Sequence, residues 1–104
     1  MIPIDKVREI ISKHESLEKE LSSNKIDKKN YAKKSKEYSD LNEILNSAKQ
    51  YLSFEKTEKD LEKILSDSNS DEEMKNLAKE ELQELLQSKK SNEKKLKLFL
   101  LPKD

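Results

Sequence analysis

The sequence contains no glycine. Phosphate-cradling loops, dinucleotide-binding loops, nucleophile elbows and two-residue hairpin turns all depend on it, so these devices are excluded together. Cysteine is also absent, which removes disulfides and every thiolate metal site. His14 is the sole histidine, so no motif built on two histidines can form. No apolar run approaches the roughly 20 residues of a membrane-spanning helix. The opening Met1-Ile2-Pro3-Ile4-Asp5 lacks the basic-then-apolar order of a signal peptide. The cytosol is the expected location.

Charge is what the chain has in quantity. Of 104 residues, 42% are charged and 32% hydrophobic, a balance close to that of disordered chains. Two features argue for a folded domain. Leu, Ile, Val and Phe together supply 25 residues, above the roughly one-fifth that marks disorder. The net charge is zero, so the chain does not repel itself as a whole. A single all-α domain with a thin core is expected. Lysine outnumbers arginine 21 to one, beside seven Asn and seven Ile. Such a bias fits an AT-rich genome, and lysine counts alone carry little weight.

Apolar spacing predicts three helices. The first, about 3–22, carries Ile4, Val7, Ile10, Ile11, Leu17 and Leu21, with Pro3 suited to its opening turn. The second, about 28–66, starts after Asp27 as N-cap and carries Tyr31, Tyr38, Leu41, Ile44, Leu45, Ala48, Tyr51, Leu52, Leu61, Ile64 and Leu65. Between Phe54 and Leu61 its stripe has no apolar residue, which predicts an exposed or bent stretch. The third, about 71–100, follows a Ser/Asn/Asp turn, with Ser70 and Glu73 in capping-box spacing. It carries Met74, Leu77, Ala78, Leu82, Leu85, Leu86, Leu96 and Phe99. Leu101-Pro102 reads as its exit, because proline pushes the preceding residue out of helical geometry.

A short connection makes the two long helices antiparallel neighbours. The expected fold is a three-helix antiparallel bundle built on a long helical hairpin. The first helix covers one end of that hairpin and leaves a bare two-helix arm at the other. The apolar Leu98-Phe99-Leu100-Leu101 close to the terminus suggests surface that further chain would cover. The 104 residues are accordingly read as a single N-terminal helical domain of a longer protein.

Charge is unevenly distributed. Residues 24–38 hold six Lys against Asp27 and Glu37, and residues 85–104 hold six Lys against Glu93 and Asp104, so each is +4. Residues 55–84 hold eleven acids against five Lys, hence −6. Antiparallel packing gathers the basic segments at one end and the acid at the other. The third helix, acidic first and basic last, obeys the helix dipole. The second violates it. Lys28, Lys29, Lys33 and Lys34 crowd a helix N-terminus, where each cation costs a few tenths of a kcal/mol. An uncompensated breach of a local rule points to function, and phosphate contact with RNA is the reading these four lysines support.

No catalytic constellation is evident. His14 falls in the first helix's stripe between Ile10 and Leu17, the place of a packed side chain. Tyr31, Tyr38, Tyr51, Phe54 and Phe99 lie at helical spacing and read as core, not as a base-stacking platform. The carboxylates line solvated helix faces. No metal, cofactor or enzymatic activity is expected of these residues.

Three patches in order resemble a known family. They are Tyr31 to Leu41, with Lys36-Glu37-Tyr38-Ser39-Asp40-Leu41 closest, then Asp71 to Leu82, then Leu100-Leu101-Pro102-Lys103-Asp104. Together they resemble the N-terminal domain of the bacterial peptide chain release factor 1 family, which reads UAA and UAG, and the likeness extends over essentially the whole chain. One departure is Lys34, where the family tends to carry Leu, which affects packing near Tyr31. The family reads stop codons with a Pro-x-Thr tripeptide and releases the peptide with a Gly-Gly-Gln loop. Neither motif is present here, so no catalytic or codon-reading residue carries over. The resemblance implies a ribosome-docking role near the large-subunit stalk base, with rRNA as partner and coupling to a recycling GTPase release factor. A self-associating helical adapter is the alternative, expected to show an unbroken heptad seam. A tRNA-binding synthetase arm would instead need a basic tip.

Overall fold

A computed structural model describes residues 1–102 as three helices, α1 (Ile4–Ser22), α2 (Lys28–Ser66) and α3 (Glu72–Leu100). Lys103 and Asp104, which close the third family-like patch and enter the charge balance of residues 85–104, lie outside the described residues. The architecture is an all-α antiparallel bundle, as expected. Its dimensions are 62 × 30 × 18 Å. At 1.5 Å per residue the 39 residues of α2 run about 58 Å, nearly the whole long axis. The radius of gyration is 18.8 Å, against about 13 Å for a compact domain of this length.

Local chemistry sets the helix boundaries. Asp27 caps α2, accepting from the Asn30 N–H at 2.9 Å. For α3 the cap is Asp71, which accepts from the Met74 N–H at 2.8 Å, and not Ser70. Asp67 accounts for the one-residue shift. Its carboxylate accepts from the Asn69 N–H (2.9 Å) and its carbonyl from the Ser70 N–H (3.2 Å). Ser70 is thereby held as the last residue of a tight turn. Leu101 ends α3 in extended geometry (φ −65°, ψ 139°), as a residue before proline should.

Helix α2 is the spine, and α1 and α3 each pack along it. It carries two heptad seams on different faces. Toward α1 run Lys34, Tyr38, Leu41, Leu45, Ala48 and Leu52, four and three apart, along the line set against Val7, Ile10, His14, Leu17 and Leu21. Toward α3 run Ile44, Ser47, Tyr51, Phe54, Glu58, Leu61 and Leu65, against Ala78, Leu82, Leu85, Lys89, Asn92, Leu96 and Phe99 at the same alternation. This is the spacing of knobs-into-holes packing. Each seam turns polar where its partner stops. Beyond Leu52 the α1-side line continues as Glu55, Lys59 and Glu62, and before Ile44 the α3-side line holds Asp40, Glu37 and Lys33.

This arrangement refines two expectations. The stretch between Phe54 and Leu61 is unbroken helix. Its seam position is held by half-buried Glu58, whose carboxylate lies 3.9 Å from the Lys89 ammonium of α3. A search for apolar residues alone misses a seam position filled by a charged pair. Three helices overlap at the middle of α2, not at one end, and a two-helix arm projects on either side. The reason is register. Ile2 meets Tyr51 and Glu20 meets Lys34, whereas Phe99 reaches only as far as Leu41.

At the waist Tyr51 joins all three segments. The Ile2 N–H donates to its Oη (3.1 Å), and its hydroxyl proton is shared between the Ile2 carbonyl and Glu93 Oε1, each at 3.3 Å. Val7 and Leu96 are fully buried there. Asn92 is buried too. Its Nδ2 donates to the Ser47 carbonyl (3.0 Å) and to Gln50 Oε1 (3.1 Å), while its Oδ1 has no partner among the described residues.

Candidate functional site

The four candidate lysines sit on the α1–α2 arm, in the first two turns of α2, but they are not equivalent. Lys34 occupies a position on the α1 seam, is half-buried, and pairs with the Glu20 carboxylate of α1. Its long stem ends in an ion pair that closes the helix contact. Lys28, Lys29 and Lys33 are exposed and make no ion pair among the described residues. The Asp27 carboxylate turns toward the Asn30 N–H. Its charge offsets the lysine crowding at the helix terminus only in part.

Two neighbours join this surface. Lys36 is exposed and pairs with Asp40 at 3.2 Å. Positions 29, 33 and 36 advance by four and three along one line of α2, so the three ammonium groups form a stripe. Tyr31 is 52% exposed, a departure from the expectation that all five aromatics are core. Helix α1 ends at Ser22 and leaves the Tyr31 ring partly uncovered beside Lys28. Sequence reading missed the stripe because it grouped the lysines by adjacency instead of by helical face.

His14 behaves as a packed residue. Only 7% of it is exposed. Its Nε2–H donates to Asn42 Oδ1 at 2.8 Å, and its ring stacks on Tyr38 with centroids 4.6 Å apart. Among the described residues no group of three or more His, Asp or Glu is placed to hold a metal ion. No helix among them is long and apolar enough to cross a membrane.

The structure is an elongated α-helical spine with a basic stripe at one end and an acidic segment at the other. Comparison with known proteins gives the lineage: residues 10–104 match the PCRF domain, and the chain belongs to that family. It is 61% identical over 104 residues to peptide chain release factor 1 of Pelagibacter ubique, covering 100% of this chain and 29% of that protein. The same factor from Bartonella quintana is 42% identical over 105 residues, 99% of this chain and 28% of that protein. That from Alkaliphilus oremlandii is 37% identical over 103 residues, 97% and 29% respectively. The chain thus spans a little over a quarter of the length of these relatives. No solved structure matches it.

Proposed function

We propose that these residues form the N-terminal domain of a translation termination factor, and that they dock the factor on the ribosome. The observation that carries this reading is the 61% identity to a peptide chain release factor 1 across the full length of the chain. In this reading the domain acts in the cytoplasm, near the stalk base of the large subunit, where it positions the factor and couples it to a recycling GTPase. Termination at UAA and UAG, with hydrolysis of peptidyl-tRNA, belongs to parts of the factor outside these residues. Lys28, Lys29 and Lys33 contact rRNA phosphate. Lys34 supports them by holding α1 against α2.

A chimera tests the proposal. The 104 residues replace the matching segment of the Pelagibacter ubique factor, and peptide release is measured on ribosomes programmed with UAA, UAG or UGA. Release at UAA and UAG at close to the parental rate is the expected result. A folded chimera that binds ribosomes but fails to terminate would overturn the docking reading. In the same chimera, Lys28→Ala, Lys29→Ala and Lys33→Ala together should lower the salt slope of ribosome binding by about two to three, one for each phosphate no longer neutralised. An unchanged slope would remove these lysines from the RNA contact.

The adapter alternative has less support. Both seams of α2 are occupied within the chain, so neither remains as a self-association surface.

A further inference from the structure

The acidic arm presents a helix face that nothing in the fold covers. On α3, positions 73, 77, 80 and 84 are spaced four, three and four apart and so lie along one line of the helix. They hold Glu73, Leu77, Glu80 and Glu84, with Met74 and Glu81 beside them. This line is distinct from the packing seam of Ala78, Leu82 and Leu85. Leu77 is 57% exposed and Met74 49%. The four glutamates are exposed, and none makes an ion pair or side-chain hydrogen bond among the described residues. Lys75 and Lys79 lie around the helix from this line and leave its charge uncompensated.

We infer that this face docks on a basic protein surface, and that the two arms of the domain therefore take chemically different partners. The inference rests on the ribosome-docking reading and adds to it a protein contact made by particular residues. Charge complementarity selects the occupant. Phosphate is repelled by a segment of net charge −6, whereas Lys and Arg side chains are steered toward it. Leu77 and Met74 supply the apolar centre that a rim of charge alone lacks. A matching partner carries Lys or Arg around a shallow apolar depression.

Site-specific photocrosslinking in the chimera tests the assignment. Benzoylphenylalanine is placed at position 77 in one sample and at position 29 in another, each bound to purified ribosomes. The expected adduct from position 77 survives ribonuclease and maps to a Lys/Arg-rich segment of a ribosomal protein. That from position 29 is to RNA. Glu73→Lys, Glu80→Lys and Glu84→Lys together should cut the position-77 adduct by about ten-fold and leave the position-29 adduct within about two-fold. Circular dichroism checks that these exposed changes leave the helices intact. An RNA adduct, a chain-to-chain adduct or no adduct from position 77, with position 29 still crosslinking, would overturn the inference alone. Loss of both adducts would overturn the docking reading and this inference with it.

Discussion

The two arms hold their helices together by different means. Where α1 lies on α2, the contact is directional: His14 stacks on Tyr38 and hydrogen-bonds Asn42, Lys34 pairs with Glu20, and Lys13 pairs with Glu37. Where α3 begins along α2, the contact is aliphatic, built from Leu61 and Ala78 with half-buried Ile64, Leu65 and Leu82. Aliphatic seams resist separation but only weakly oppose slippage by a heptad. Polar groups in a seam oppose slippage strongly, because a shifted register leaves them buried without partners. The α1 contact therefore specifies its own register. The hairpin's register is specified at mid-length, by Asn92 on Ser47 and Gln50 and by Glu58 facing Lys89.

The sharpest way to break this comparison is to weaken the waist on which both arms depend. Leu96 is fully buried in the core cluster, so Leu96→Ala should cost about 2–5 kcal/mol, from reduced burial and a residual cavity. Leu77→Ala, on the exposed face, should change stability by less than about 0.5 kcal/mol. Urea denaturation of both variants measures the contrast. A smaller and local effect is expected from His14→Ala, which removes a stacked pair and a hydrogen bond worth about 2 kcal/mol together. Amide exchange should quicken in residues 14–22 and stay unchanged in residues 61–85. Equal quickening at both ends would show that the arms are not energetically separate.

Capping offers a finer test. Asp27→Ala and Asp71→Ala each remove one side-chain acceptor at a helix start and should each cost about 1 kcal/mol. Loss of Asp27 should be the larger of the two. It also withdraws the carboxylate beside Lys28 and Lys29, whereas Glu72 and Glu73 remain in the first turn of α3. Thermal melts of the two variants make that ranking visible. Among the buried positions the smallest change in stability belongs to Asn92→Leu, expected within about 1 kcal/mol of the parent because it also removes an unpaired buried oxygen. Its signature is in specificity, and sedimentation velocity should show a larger dimer fraction for the variant than for the parent. A strictly monomeric Asn92→Leu variant would place register control elsewhere.

Most of the architecture was legible from spacing. Apolar periodicity and turn chemistry gave the three helices to within one residue at each end, and Asp27 was readable as a cap from its position alone. What escaped were positions where polar residues do the work of apolar ones. His14, Glu58, Lys89 and Asn92 all fall on heptad lines, but a stripe drawn through Leu, Ile and aromatics passes around them. Treating the apolar residues of α2 as one stripe also merged two faces into one. The extra arm stayed hidden for that reason, since only separate seams show where α1 and α3 each stop. At the candidate site, the breach of the dipole rule drew attention to the right turn of α2. Exposure and pairing then separated Lys28, Lys29 and Lys33 from Lys34, a distinction that depends on where Glu20 of another helix falls.

Helix α2 runs without interruption from the basic turn to the acidic one. A straight α-helix of that length transmits rotation from end to end as a stiff lever. A tilt of one degree about one end displaces the other by about 1 Å over its roughly 58 Å. Contact made at either arm is therefore also an alignment of the other, and the spacing between the two contact surfaces is held by the backbone hydrogen bonds of a single helix.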